Sequence, residues 1–470
     1  MPPLTTPDYE LVPLVPDSRV AVPRSLDLIT HYVLKEQGDW FEAELAFVRA
    51  LVRPGMNVLD IGANYGVYAL TMGRCVSPSG KVWAFEPTHA TAAFLRISVT
   101  ENGLSNVEVI EAGLSNREGN AVLFTHENAE LNTLNPGTEG GTTETIQLRT
   151  LDACAAEFGW NNISFLKLDA EGEEERILEG GRQFIAANDP LCLFELKHGT
   201  FVNTALLSAF QDLGLVLYRL VPGLNVLVPF SPEIAPDPFQ LNLFACSPER
   251  ARECAKLGFL ANSLGNAQSL DVGERWSSLA AEWPYARELS VRWAESRTTS
   301  SGEEREQVEE REQVEGALGG YALARDRSVP AEIRYAALQA AFNTLTSLLK
   351  GAPRLSRFLS LARVADELGH RMLAIHSLDA VLSLLDQGVR FELDEPFLSP
   401  NPRFDHVDPG TELEKWCLAA TIEQLERLSH YSSFYTKDAS LPRLRCFAEL
   451  GFPGSEMARR LELVLARTSA

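Results

Sequence analysis

The chain has 470 residues, 45% of them hydrophobic and 23% charged, an ordinary globular composition in a length that predicts two or three domains. Lys plus Arg number 42 against 64 Asp plus Glu, for a formal charge of -22. Such a surface repels phosphate, which argues against a nucleic-acid partner and against anionic membranes.

No apolar run approaches the roughly 18 residues that span a bilayer. The opening Met1-Pro2-Pro3-Leu4-Thr5 lacks the basic and then apolar pattern of a secretory signal. The seven cysteines are odd in number, scattered and free of any Cys-x-x-Cys pair. A soluble cytoplasmic protein is expected.

Residues 1 to about 38 carry six prolines and read as an irregular N-terminal arm packed over the next domain. Glu42 to Leu51 has helical apolar spacing and is stopped by Pro54-Gly55. Short apolar runs then predict strands at Asn57 to Ile61, Lys81 to Phe85, Val107 to Ile110, Ile163 to Leu168 and Leu191 to Leu196. Tyr65 to Arg74 and Thr91 to Asn102 fit helices between the first three. Alternation of this kind predicts an α/β fold, a doubly wound Rossmann-like sheet with helices on both faces.

Ala121 to Thr125 and Thr142 to Leu148 predict an inserted hairpin, and the polar loop from His126 to Glu144 is a candidate cover for a substrate. Leu215 to Val221, Leu224 to Val228 and Gln240 to Cys246 predict an antiparallel edge, with Pro222-Gly223 as a turn. Strand signals stop after Ser247-Pro248. Glu303 to Glu315 repeats Arg-Glu-Gln-Val-Glu at 305 and 311, and reads as a solvated helical or disordered linker dense in acid rather than a specific binding tail. The expected domains are 39–250, a helical connector and linker over 251–316, and a separate all-α domain over 317–470. The last is read as a bundle or a degenerate tetratricopeptide-like array, since no clean period of roughly 34 residues appears.

The stretch Val58-Leu-Asp-Ile-Gly-Ala-Asn-Tyr-Gly-Val-Tyr68 is a buried strand entering a glycine bend and then a helix. Glycine suits a sharp turn where a ligand approaches the main chain. Glu86 ends the next strand, where an acid can accept hydrogen bonds from ribose hydroxyls. A dinucleotide site prefers Gly-x-Gly-x-x-Gly, but Asn64 and Val67 stand at its second and third positions. Asp60 lies two residues before the first glycine and suits a cationic cofactor. S-adenosylmethionine, with an ammonium, a sulfonium and no phosphate, is favoured; NAD and a strained loop without a ligand are the alternatives.

Residues from about Trp40 to Cys246 resemble the FkbM family of class I methyltransferases. The resemblance rests on Asp60-Ile-Gly-Ala-Asn-Tyr-Gly66, Phe85-Glu-Pro87, Phe165-Leu-Lys-Leu-Asp-Ala-Glu-Gly172 with Glu175, Phe194-Glu195 and Leu241-Asn-Leu-Phe-Ala-Cys246. It implies O-methylation of a hydroxyl on a sugar, glycan, polyketide or related natural product. Asp60, Gly62, Ala63, Asn64 and Gly66 would line the methionine end and Glu86 would hold the ribose. Glu111 and Gly113 would border the adenine, and Glu42 matches an acid found upstream of the first strand.

A hydroxyl acceptor must lose its proton, and a carboxylate or imidazole within hydrogen-bond reach serves as base. Asp169 and Glu171 follow the fourth strand, and Glu195 and His198 the fifth, at the end of the sheet where ligands bind. Asp169 is the first choice for base, with a helix N-cap as its structural alternative; His198 is the second. Glu171, Glu173, Glu174 and Glu175 suit the positive end of the following helix. Asp169, Glu195 and His198 have the donor types of an open divalent-metal site, but their spacing is weak evidence and no metal is expected. The helical half is a candidate surface for a protein partner. The competing readings are a non-catalytic scaffold that works through that half and an NAD-dependent oxidoreductase.

Overall fold

A computed structural model describes residues 8–125, 142–198, 201–263, 273–299, 305–391 and 394–469. The chain divides into two units. The first is Met1–Leu220, Leu227–Ala235 and Leu241–Leu257, and the second is Val221–Val226, Pro236–Gln240 and Gly258–Ala470.

The first unit opens with a hairpin, β1 (Glu10–Leu14) and β2 (Ser18–Val22), followed by α1 (Ile29–Gln37) and α2 (Ala43–Leu51). The N-terminal arm is thus regular, against the expectation. Val12, Leu14, Val20 and Val22 are buried, and a two-stranded ribbon tolerates Pro13 because edge strands leave some N–H positions unpaired.

Then come β3 (Asn57–Ile61), α3 (Val67–Val76), β4 (Lys81–Phe85), α4 (His89–Glu101) and β5 (Val107–Ile110). An insertion follows: β6 (Gly113–Leu114), β7 (Gly119–Thr125) and β8 (Thr142–Arg149). After α5 (Leu151–Phe158) the chain continues through β9 (Ile163–Leu168), α6 (Glu174–Glu179), α7 (Arg182–Asn188) and β10 (Leu191–Glu195). The unit ends with β11 (Lys197–His198), β12 (Phe201–Val202), α8 (Thr204–Asp212), β13 (Val216–Val221), β14 (Val226–Pro229), β15 (Asn242–Cys246) and α9 (Pro248–Lys256).

Eight strands form one sheet in the order β14-β13-β15-β10-β9-β3-β4-β5. β10, β9, β3, β4 and β5 run parallel, and β15 lies antiparallel to both β10 and β13. The chain moves outward from β3 to β4 and β5, then returns to β9 on the other side of β3. Strand order therefore reverses between β3 and β9, and a crevice opens beyond their carboxyl ends. Helices cover both faces, which is why these strands read as unbroken apolar runs. Leu59, Ile61, Leu166, Leu168, Phe194 and Phe210 share one buried core.

β6, β8 and β7 form a separate three-stranded sheet, with β7 and β8 paired from Gly119↔Leu148 to Thr125↔Thr142. Of the loop read as a substrate cover, residues 126–141 lie outside the described residues.

The second unit holds α10 (Gly273–Glu282), α11 (Pro284–Thr299), α12 (Arg305–Arg325), α13 (Ala331–Gly351), α14 (Leu355–Leu368) and α15 (Arg371–Asp386). It ends with α16 (Leu413–Ser429), α17 (Leu441–Glu449) and α18 (Ser455–Ser469). From α12 onward each helix packs against the next. The described part of the acidic repeat is helical, the first half of α12, but it is not fully solvated as expected: Arg311 and Val314 are buried, as are Leu318 and Tyr321 further along the helix. Their spacing of three or four residues presents one face of a helix. The units accordingly divide at Leu257 and Gly258, and α10 to α12 belong with the later helices. Among the described residues no helix is long and apolar enough to cross a membrane.

Candidate active site

The crevice at the switch point is lined by residues from β3 and the bend after it, the ends of β4 and β9, the start of the insertion, and Thr30, Trp40 and Glu42 from the N-terminal segment. Gly62 and Gly66 have φ of +76° and +100°, and Asn64 between them has φ of +48°. Gly66 caps α3, and a side chain there would meet Leu95 at 2.4 Å.

Four N–H groups of this bend are already engaged. Those of Gly62 and Ala63 donate to the Phe85 carbonyl at 3.1 and 2.9 Å, and that of Gly66 donates to Ala63 at 2.9 Å. The Asn64 N–H donates to Glu86 Oε2 at 3.0 Å. A pyrophosphate needs free main-chain donors at such a turn, so the arrangement does not suit a dinucleotide.

Glu86 is 6% exposed. Its Oε1 accepts from the Thr88 N–H at 3.0 Å and from the Thr88 hydroxyl at 2.6 Å. Burial raises its carboxyl above the ordinary range, against the hydrogen bonds from Thr88 and Asn64. With one protein donor, Oε2 keeps acceptor capacity on the cleft side.

Asp60 is fully buried on β3 with no close hydrogen bond to either oxygen; the donors that act on it are the Ala69 N–H and Lys167 Nζ, the latter 3.9 Å away, and the side-chain oxygen of Asn64 is also buried and unpartnered. Burial pushes the Asp60 carboxyl up to about 6 against the pull of Lys167; Asp169 adds to the rise and the Ala69 N–H opposes it. A buried carboxylate so weakly compensated costs free energy that a cationic ligand group would offset.

Asp169 sits just past β9, its side chain 36% exposed. It is not the N-cap of the next helix, because α6 starts at Glu174 with Glu173 at its cap position. Instead Asp169 Oδ2 accepts from Lys167 Nζ at 2.8 Å. Lys167 is 7% exposed and lies 5.1 Å from the centre of the Tyr68 ring. Its carboxylate neighbours hold the ammonium above its ordinary range in spite of burial. The Tyr68 hydroxyl donates to Glu42, whose carboxyl is raised by burial.

Glu171 lines the cleft with φ of +49°. Glu173 and Glu174 serve the loop itself. Glu173 accepts from the Ser115 hydroxyl at 2.9 Å and from Arg176 at 2.6 Å, and Glu174 accepts from the N–H groups of Ala170 and Gly172. Glu195 ends β10 beside this loop. Burial, with Asp169, Glu171, Glu174 and Glu42 nearby, pushes its carboxyl up to about 10, and Glu195 is not among the residues that line the cleft. His198 closes β11; its side chain lies outside the described residues. Among the described residues no group of three His, Cys, Asp or Glu side chains is placed to hold a metal ion.

Phe85, Pro87, Ala112, Gly113, Leu114, Leu123 and Ile146 make an apolar slot beside Glu86. Gly113 lines the slot and Glu111 does not. The Glu111 carboxylate accepts from His89 Nδ1 and pairs with Arg96 Nη1, both at 2.8 Å. Burial raises its carboxyl, but His89 and Arg96 outweigh that and hold it below the ordinary range.

Sequence reasoning missed Lys167, Tyr68 and Trp40. The signal for Lys167 was a lysine in the interior of an apolar parallel strand, where an ammonium persists only if paired. Trp40 gave none, since it reaches the cleft through the fold of the N-terminal segment.

Several solved structures are similar to this chain. The methyltransferase FkbM from Methylobacillus flagellatus KT is 18% identical with a TM-score of 0.30, covering 44% of this chain and 48% of that one, so this chain spans about half its length. A SAM-dependent methyltransferase from Aquifex aeolicus is 15% identical with a TM-score of 0.28, over 47% of this chain and 93% of that one. A SAM-dependent O-methyltransferase from Thermotoga maritima is 14% identical with a TM-score of 0.26, over 51% and 77%. No curated protein matches. The family model of the methyltransferase FkbM domain matches residues 60–217, from the Asp60 strand to β13, and the chain carries an FkbM methyltransferase domain there.

Proposed function

We propose that this protein transfers a methyl group from S-adenosylmethionine to a hydroxyl of a sugar, glycan or related natural product. The observation that carries the reading is Asp60, a buried carboxylate lining the cleft with no close hydrogen bond to either oxygen. It fits a ligand that is cationic at one end, and the engaged N–H groups of the bend fit one without phosphate.

Asp60 and Asn64 would hold the methionine end, Glu86 Oε2 a ribose hydroxyl, and the slot of Phe85, Ala112, Leu114, Leu123 and Ile146 the adenine. S-adenosylmethionine supplies, when bound, a methyl carbon activated for displacement by its sulfonium. The chain's own contribution is alignment, exclusion of water and removal of one proton. Asp169 is the base we assign: it lines the cleft, is partly exposed to an entering hydroxyl, and is oriented by Lys167 through Oδ2. Glu171 lines the same mouth and would orient the acceptor. The unpaired cysteines suit a reducing compartment, and we assign the protein to the cytoplasm.

The test is calorimetry with S-adenosylmethionine, followed by incubation of the protein and methyl-labelled donor with fractionated cell extract. Binding, and a fraction that gains one methyl group on oxygen by mass spectrometry, is expected. No binding would remove the cofactor assignment; a methyl group on nitrogen or carbon would remove the hydroxyl.

A further inference from the structure

Among the described residues lining the cleft, Lys167 is the only cation. Carboxylates approach it from three elements: Asp60 from β3, Asp169 from the loop after β9, and Glu42 from the segment before α2, while α3 places the Tyr68 ring over it. Its contacts with the two aspartates are unequal. Nζ is 2.8 Å from Asp169 Oδ2 and 3.9 Å from Asp60 Oδ1, the second without a hydrogen bond.

One ammonium cannot fully compensate two carboxylates. A lysine head on a flexible stem has three donors and can shift between acceptors without backbone movement. A second cation beside Asp60 therefore repels it toward Asp169. Conversely, an Asp169 without charge leaves Lys167 to Asp60, where it competes with any cationic ligand.

We propose that Lys167 is a positioning residue linking the two sides of the site: its ammonium is shared between Asp60 and Asp169, and a cationic ligand group at Asp60 commits it to Asp169. The proposal rests on the S-adenosylmethionine reading and adds an order to it, cofactor before acceptor. Lys167 already donates to Asp169 Oδ2; with its pull toward Asp60 removed, it holds the carboxylate that meets the acceptor hydroxyl more firmly once the cofactor is in place. By reciprocity, whatever frees Lys167 from Asp169 weakens the cofactor.

The experiment is a double-mutant cycle on the full chain, read as S-adenosylmethionine affinity by calorimetry at about pH 8. Asp169→Asn is expected to weaken binding about tenfold, a typical coupling between linked sites. In a Lys167→Met background the same change is expected to cost less than about twofold, because no lysine remains to move. Lys167→Gln gives the same comparison with a polar head if the methionine variant folds poorly. Lys167→Arg keeps the cation and is expected to restore the Asp169→Asn cost. An equal Asp169→Asn cost with and without the lysine means that Asp169 acts on the ligand directly, and overturns the proposal alone. No binding by the unmodified protein overturns the cofactor reading as well.

Discussion

The carbonyl oxygen of Asp169 occupies the space where a side chain on Gly62 would sit, 1.7 Å from an ideal Cβ position. The glycine at the start of the cofactor bend is therefore required by the protein's own backbone, with the end of β9 crossing close to the end of β3. Its φ of +76° adds a second requirement. Gly62→Ala should cost about 3 kcal/mol or more, because a backbone clash and a left-handed conformation are combined. Urea unfolding measures this; a midpoint equal to the parent's would show that the β3 and β9 ends separate easily.

Glu86 ties the bend to the α4 entrance by accepting from Asn64 on one oxygen and Thr88 on the other. Removing it should cost the ribose contact and loosen the Asn64 turn together. Glu86→Ala is expected to weaken S-adenosylmethionine binding about 10- to 100-fold, the range for losing a charged hydrogen bond. Calorimetry decides, with circular dichroism to confirm the fold; retained affinity would place the sugar elsewhere.

Glu111 supplies the opposite expectation. Its carboxylate is engaged by His89 and Arg96 and does not line the cleft. Glu111→Gln should leave cofactor affinity within about twofold of the parent, as surface changes away from a site generally do. A tenfold loss would show that the adenine lies further out than the apolar slot.

These two acids show what was legible in the sequence. Glu86 was readable because a strand end beside a glycine bend has one geometry in doubly wound sheets, and the parallel strands were readable because burial on both faces makes them apolar throughout. Glu111 follows its strand in the same way, but the chain turns there toward β6, and Ala112 and Gly113 face the cleft instead. The N-terminal hairpin was hidden by its prolines. The acidic face of α12 hid Val314 and Leu318, and Arg311 makes the case plainly: it reads as a solvated charge but lies with its guanidinium 4.1 Å from the centre of the Trp293 ring. In each of these, tertiary packing decided what local composition left open.

Glu195 carries a pH dependence. Its carboxyl is pushed up to about 10 from an ordinary 4.5, so the folded protein keeps a proton that the unfolded chain gives up. The stabilisation is fully present below about pH 4.5 and is lost as pH rises toward 10. Glu195→Gln keeps a similar shape without ionising. Its melting temperature relative to the parent should climb as pH is raised from about 6 to 9; parallel pH profiles for the two proteins would mean that Glu195 is not held protonated.

In the helical unit the corresponding test is Arg363, 1% exposed on α14. Its Nε donates to Glu367 at 2.7 Å, its Nη2 to Asp405 at 2.8 Å and its Nη1 to the Ser399 carbonyl at 3.0 Å. One guanidinium thus joins the helix to the segment after α15 and compensates two buried acids. Arg363→Met should destabilise by about 3–5 kcal/mol, most of it the cost of leaving Asp405 without its cation and Glu367 with Arg325 alone. If that is the cause, adding Glu367→Gln and Asp405→Asn should recover much of the loss, since an uncharged set needs no cation. Thermal unfolding of the four proteins separates the cases: no recovery in the combined variants would assign the cost to lost packing of the arginine stem.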